Sequence, residues 1–258
     1  MSVVFDTWNE GRLDGGMGDA EIRGRLEQDN AELVRSNREL EEFAYVASHD
    51  LKSPLLVVTG FLELLQRTKA GQLDDDAQMY VDAALRGAAR MEQLIDDLLT
   101  YSRVGRNDHN RALVDLQAVA RQLVDDWAGV IEEAGAAVRV GALPTVLGDE
   151  TLLRQLLENL FSNSLKFRRA DVQLVISIDA ERQGAEWCIS ITDNGLGIAV
   201  EHRDRIFTMF TRLANSTDRP GSGIGLAICH RVVQAHGGRL WAEDGESGGA
   251  RLRFTLPA

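Results

Sequence analysis

An exposed imidazole beside an acid is a candidate nucleophile with a proton acceptor to hand, because histidine titrates near neutrality. The chain offers such a pair, His49-Asp50, inside the stretch Phe43-Ala-Tyr-Val-Ala-Ser-His-Asp-Leu-Lys-Ser-Pro-Leu55. Ser53 follows His49 by one helical turn and Pro54 comes directly after it. With Leu51 at heptad position a, Leu26, Leu33, Leu40 and Ala47 fall at d, and Asn30, Asn37 and Ala44 at a. That seam predicts a two-stranded coiled-coil pair with its register set by asparagine. His49 then falls at f and faces water. A lone surface histidine usually does nothing, so the pair means little without a donor for its chemistry.

Such a donor site is spelled out in the second half. In Glu158-Asn-Leu-Phe-Ser-Asn-Ser-Leu-Lys-Phe167, Asn159 and Asn163 are one helical turn apart and Lys166 is within reach of the same face. Amide oxygens suit a hard cation that also takes phosphate oxygens, such as Mg²⁺. Asp193-Asn-Gly-Leu-Gly-Ile198 follows an alternating strand, and its Asp can accept from an exocyclic amine. Ile206-Phe-Thr-Met-Phe-Thr-Arg-Leu213 carries Phe207, Phe210 and Arg212. Gly221-Ser-Gly-Ile-Gly-Leu-Ala227 opens a helix, where free N–H groups and the dipole favour anions. No Gly-Lys-Ser/Thr follows it, so this is not a Walker A loop. Alone, each motif has an ordinary explanation: solvent-facing asparagines, a turn, core aromatics, a flexible loop.

The elements that must position these groups read as follows. Residues 1–20 are rich in Gly and Asp and predict a mobile tail or cut linker. Heptads run from about Glu21 to Arg67, with a bend expected near Pro54 and Gly60. A turn at 69–73 leads to Asp74, Asp75 and Asp76, which cap a second helix. Its apolar residues Met79, Val81, Ala84, Leu85, Ala88, Met91, Leu94, Ile95, Leu98 and Leu99 recur at three and four, so one face should be buried. Two such helices make a hairpin, and two hairpins a four-helix bundle, so homodimerisation is expected. A polar stretch at 105–111 marks a boundary. Beyond it the pattern predicts strands at 113–116, 137–143, 172–178, 186–193, 239–243 and 250–256, with helices at 117–134, 152–168 and 224–236. That is an α/β sandwich.

The stretch around His49 resembles the H box of sensor histidine kinases, in the form found in phytochrome-like soluble kinases. The four later motifs, in order, resemble the N, G1, F and G2 boxes of the histidine-kinase ATP-binding domain, a fold shared with gyrase, heat-shock and mismatch-repair ATPases. His236-Gly-Gly-Arg-Leu-Trp241 resembles the segment after G2. The resemblance covers about residue 25 to the end. It implies two domains: a helical phosphoacceptor hairpin forming a dimeric four-helix bundle (21–110), then an ATP-binding α/β sandwich (111–258). It implies ATP and Mg²⁺ as cofactors. His49 would accept the phosphoryl group, with Asp50 orienting the ring and taking its proton. Asn163, assisted by Asn159, would ligate Mg²⁺. Lys166 would contact phosphate and Phe167 the base. Asp193 would bind the adenine amine, with Gly195, Gly197 and Ile198 shaping the pocket beside Phe207 and Phe210. Gly221, Ser222, Gly223, Ile224, Gly225 and Leu226 would wrap the phosphates, and 211–222 would form the lid. Arg212 fits phosphate pairing and a surface role equally well.

The implied activity is autophosphorylation of His49 and transfer to an aspartate of a separate response regulator receiver domain, with input from an upstream sensor domain or protein. Hydrolytic and serine-kinase relatives usually carry Glu at the position of Asn159, and Asn cannot serve as that base. An alternative is a dimeric adaptor or response-regulator phosphatase. Ser53 bears on this, because related kinases often carry Thr or Asn there to align water.

Composition narrows the setting. With 258 residues, 44% hydrophobic, the chain can build real cores. Its net charge of −12 argues against nucleic acid or an anionic membrane as main partner. Cys188 and Cys229 match no metal or redox spacing, which predicts buried, reduced thiols in a cytoplasmic protein. The longest apolar stretch, 55–65, is interrupted by Thr59, Gly60 and Glu63, so no membrane span is expected. His109, His202, His230 and His236 show no metal spacing.

Overall fold

The computed structural model describes residues 19–69, 71–104, 111–213, 221–245 and 248–258, with side chains ahead of Asp50 described at scattered positions. The expected tail, the heptad seam ahead of Leu51, the 105–110 boundary and most of the lid lie outside the described residues. So does the side chain of His49. Residues 1–43 and 44–258 form two compact units. In the first, helix α1 (Asp19–Thr68) begins. The remainder of α1 opens the second unit, with Pro54 inside the helix.

Within the second unit α1 and α2 (Asp75–Val104) form the predicted hairpin. Asp74 accepts the N–H of Ala77 at 2.7 Å and so caps α2. Lys52 pairs with Asp96 at 2.7 Å, and Gln66 donates to Asp82 at 2.9 Å. These two ties step equally far in opposite directions, which fixes an antiparallel register. Leu55, Ala88 and Ile95 are buried between the helices, with Leu99 beside them. Among the described residues several large apolar side chains of the hairpin are not covered by the chain itself. Leu51 is 58% exposed and Phe61 69%, and Met79 and Met91, expected on a buried face, are also exposed.

The sandwich has a sheet in the order β2-β4-β5-β7-β6. Its strands are β2 (Ala137–Val140), β4 (Val175–Gln183), β5 (Glu186–Asp193), β7 (Ala250–Pro257) and β6 (Leu240–Asp244). Only β2 and β4 pair in parallel. Strand alternation turns Ile176, Ile178, Ile189, Ile191, Leu252 and Phe254 to one buried face. Helices α3 (Leu116–Asp126), α5 (Glu150–Lys166) and α6 (Gly225–Ala235) supply the facing apolar layer. On the opposite face Arg253 pairs with Glu181 and Glu243 and lies over Trp241. The C-terminal end of α2 joins this domain. Val104 is 1% exposed within its core, and the Arg231 guanidinium stacks on Tyr101 at 4.4 Å.

Several boundaries differ from expectation. The helix expected over 117–134 is two, α3 and α4 (Ala128–Glu133), separated at Trp127. The Trp127 ring meets Phe161 edge-on at 6.0 Å, which draws the residue into the core and interrupts the helical path. A strand with no expectation, β3 (Thr145–Gly148), pairs with β1 (Ala112–Asp115). Strand β4 starts at Val175 because the Asn194 side chain bonds the backbone at Val175 and Gln173. The 137–143 strand stops at Val140.

His236, a structural histidine, ties two helices together. Its Nδ1 lies 2.8 Å from the Val232 carbonyl and its Nε2 accepts the N–H of Asp149 at 3.0 Å. That pattern requires the neutral tautomer protonated on Nδ1. The ring is 4% exposed and packs beside Gly148, at the start of α5. Replacing His236 by Leu leaves the half-buried Asp149 N–H without its acceptor, so thermal denaturation should report a loss of about 1–3 kcal/mol.

Candidate functional site

The site is built at the end of β5, where α5, the β5 turn, the loop before α6 and the turn before β7 converge. Asp149 caps α5 by accepting the N–H of Leu152 at 3.1 Å. The helix buries Leu153, Leu156, Leu157 and Leu160, which leaves Asn159, Asn163, Lys166 and the following Phe167 half-buried along its rim.

Asp193, 8% exposed, is the electrostatic centre of this end of the sheet. Its Oδ1 accepts the N–H groups of Gly195 at 2.9 Å and Ala250 at 3.1 Å. Its Oδ2 accepts the Ser164 hydroxyl at 3.1 Å. Burial raises its pKa above the usual carboxylate value, and these donors oppose the shift. The surrounding turns come too close for side chains. A Cβ on Gly195 would stand 2.6 Å from the Phe167 carbonyl oxygen, and one on Gly249 would collide with the Asp193 backbone. Such a carboxylate can accept a hydrogen bond from an amine edge of a ligand.

The glycine loop faces the rim of α5. A Cβ on Gly221 would collide with the Lys166 ammonium, and one on Gly225 would lie 3.4 Å from Asn159 Oδ1. Gly223 takes φ +75° and closes against the backbone of Phe210 and Thr211, so both ends of the lid segment meet there. Phe210 itself has φ 60°, costly for a side chain of its size, and is 63% exposed. Lys166 sits 4.9 Å from the Phe167 ring centroid. Loop amides, an ammonium and amide side chains together make an anion cradle with oxygen donors beside it. Among the described residues the buried amide nitrogen of Asn159 has no hydrogen-bond partner within hydrogen-bonding geometry. Among the described residues no group of three His, Cys, Asp or Glu could hold a metal ion. This donor set fits Mg²⁺ held jointly by Asn163, Asn159 and phosphate oxygens, as hard cations prefer.

Not every candidate meets at this centre. The Ile224 side chain is 1% exposed in the core, and its N–H donates to the Ser222 hydroxyl at 3.2 Å. Phe207 stacks on His230 at 5.9 Å. Leu226 packs against the core, Gly197 and Ile198 are half-buried in the β5 turn, and Arg212 is exposed. Asp50 and Ser53 are exposed on α1, on either side of the Lys52 that binds Asp96. Cys188 and Cys229 are free and buried, and burial raises both thiol pKa values, so neither is reactive.

Two participants carried no signal of their own. Ser164 lies inside the asparagine motif but reaches the carboxylate of a distant strand. Asp97, on α2, accepts from Gln93 at 2.8 Å and from the hydroxyl of Ser222 in the glycine loop. Nothing in the local pattern of α2 marks Asp97 out from Asp96.

Residues 39–107 match the His Kinase A (phospho-acceptor) domain, and residues 148–258 match the histidine kinase-, DNA gyrase B- and HSP90-like ATPase. The chain belongs to the sensor histidine kinases. Phytochrome-like protein Cph1 of Synechocystis sp. is 38% identical to this kinase core over 225 residues, covering 87% of this chain and 30% of that protein. Cyanobacterial phytochrome A of Nostoc sp. is 41% identical, covering 88% and 29%. The chain therefore spans less than a third of the length of these curated relatives. Full-length ShkA in complex with AMPPNP superposes with a TM-score of 0.67 at 30% identity, over 84% of this chain and 45% of that one. Acinetobacter baumannii histidine kinase AdeS shares the fold, with a TM-score of 0.55 at 21% identity over 81% and 97%. No described helix of this kinase core is long and apolar enough to cross a membrane.

The raised pKa of Asp193 sets opposite trends for folding and binding. Burying the ionised carboxylate costs stability, a cost that appears as pH rises from the unfolded value through the folded pKa. Asp193→Asn keeps an acceptor for both N–H groups without the charge, so its melting temperature at neutral pH should equal or exceed the parent's. Calorimetric affinity for ATP should nevertheless fall by about tenfold or more, because the charged acceptor is lost. In the parent chain, ATP affinity should decline on acidification at a higher pH than an ordinary carboxylate would dictate.

Proposed function

We propose that this chain is an ATP-dependent protein histidine kinase that phosphorylates His49 and passes the group to an aspartate of a separate receiver domain. The observation that carries this reading is the approach of the glycine loop to the hairpin. Ser222, in that loop, is bonded to Asp97, and the adjacent Asp96 pairs with Lys52, three residues after His49. The phosphate cradle is thus tied to α2 beside the turn of α1 that follows the phosphoacceptor. The organisation we propose is a signalling helix and phosphoacceptor hairpin over 21–110, followed by an ATP-binding domain over 111–258.

In this reading Asp193 receives the adenine amine and Phe167 lines the base. Lys166 and the amides of Gly221, Gly223 and Gly225 hold the phosphates. Asn163 and Asn159 would hold Mg²⁺, which would supply positive charge against the phosphates. A neutral imidazole nitrogen of His49 attacks the γ-phosphorus. The N–P bond forms, the β–γ oxygen bond breaks, ADP leaves, and the imidazole proton passes to Asp50. The protein contributes alignment and charge more than covalent help. The exposed apolar side of the hairpin supports a homodimer, which covers it with the same side of a second copy. A receiver domain in trans, an upstream sensor and a cytoplasmic setting complete the proposal.

With γ-labelled ATP and Mg²⁺ the protein should acquire acid-labile, alkali-stable label, absent from His49→Gln and Asn163→Ala. Intact nucleotide binding without label would favour an adaptor or phosphatase, and acid-stable label surviving His49→Gln would favour a hydroxyl kinase. Light scattering should give about twice the 28.4 kDa chain mass. Phe61→Glu, which charges the exposed apolar side, should shift the mass toward that of one chain.

A further inference from the structure

The two oxygens of Asp193 keep different company. Oδ1 takes two backbone N–H groups, from Gly195 and Ala250, and its lone pairs are then used. Among the described residues Oδ2 takes only the Ser164 hydroxyl, at 3.1 Å, and keeps room for one more donor. Ser164 is 3% exposed, on the face of α5 turned to the sheet. Its oxygen also lies 3.4 Å from the Leu160 carbonyl, the usual back-bond of a serine within a helix. It has one proton for two acceptors, and the carboxylate is both nearer and charged, so the proton belongs to Asp193.

We propose that Ser164 is the positioning residue for base recognition: its hydroxyl fixes Asp193 Oδ2 so that one acceptor site is left for an exocyclic amine, selecting 6-aminopurines over purines without that amine. The inference rests on the reading above in which Asp193 receives the adenine amine. Backbone donors hold Oδ1, but a carboxylate held at one oxygen can still swing about its χ2 torsion, which is broad and shallow. Among the described residues Ser164 is the side-chain donor that removes this freedom. Because its proton is committed to Asp193, Ser164 has only lone pairs left to offer. The edge therefore presents acceptors alone. An amine satisfies it, a ring hydrogen leaves Oδ2 short of a donor in a nearly dry site, and a carbonyl meets another acceptor.

A serine that merely closed a helical back-bond would behave differently, and ligand pairs separate the two cases. Binding of ADP and of purine riboside 5′-diphosphate, which lacks the amine, is measured by calorimetry with Mg²⁺ for the parent chain, Ser164→Ala and Ser164→Thr. The parent should prefer ADP. Ser164→Ala should lose about tenfold in ADP affinity, with purine riboside diphosphate unchanged, so the preference collapses. Ser164→Thr keeps the hydroxyl and should retain the preference. The ratio is read within each protein, so a general loss of stability does not mimic the effect. Equal losses for both ligands in Ser164→Ala, or no loss for ADP, would overturn the role of Ser164 while leaving Asp193 in place. A parent chain that binds both ligands equally would overturn the Asp193 reading and this one with it.

Discussion

A carboxylate held away from water needs hydrogen-bond donors, and the nucleotide end of this domain is arranged to supply them while leaving one acceptor site of Oδ2 open. Asp193 ends a central strand: it pairs with Ile176 of β4, and the preceding Thr192 pairs with Arg251 of β7. Two turns lend it N–H groups and the helix α5 lends it a hydroxyl. The glycines at 195 and 249 follow from this, since any side chain there would separate the donors from the acid or strike its backbone. The helix rim that carries Asn159, Asn163 and Lys166 is set at its distance from the glycine loop by the same packing. The buried acid and the glycine loop are thereby placed on one framework.

The sequence was most legible where function forces residue type. Five motifs marked the hairpin, the strand end and the glycine loop, because the roles proposed for them each admit few side chains. Strands at 172–178 and 186–193 were readable from the alternation of apolar and polar residues, and those at 239–243 and 250–256 from the Gly-rich turn between them. Less legible was anything decided by distant packing. Trp127 breaks a helix because Phe161, on another element, holds its ring. The four-residue β3 has no period of its own and exists because β1 pairs with it. The exposure of Met79 and Met91 reflects one chain of a hairpin whose apolar side is wider than its own partner helix can cover.

Side-chain partnerships across elements were the hardest to foresee. Ser164 and Asp97 occupy positions that many residues would fill without disturbing their helices. What gives them meaning is an acid on β5 for one and a hydroxyl in the glycine loop for the other. His236 showed no metal spacing and stands in a motif, yet its ring serves as a brace between α5 and α6. In each case the chemistry of the residue was plain, and its address was not.

Helix α2 belongs to two interiors at once. Ala88 and Ile95 pack against α1, whereas Val104 and Tyr101 pack into the sheet domain. Consecutive residues of a helix are separated by about 100° around its axis, so α2 turns as a single rod. A twist that repacks the hairpin must carry Val104 out of its socket or drag the sheet domain along with it. Close-packed interiors resist intermediate settings and favour discrete ones. Such a rod would act as a gearwheel with few teeth: a torque applied to the hairpin would reach the sheet domain in steps.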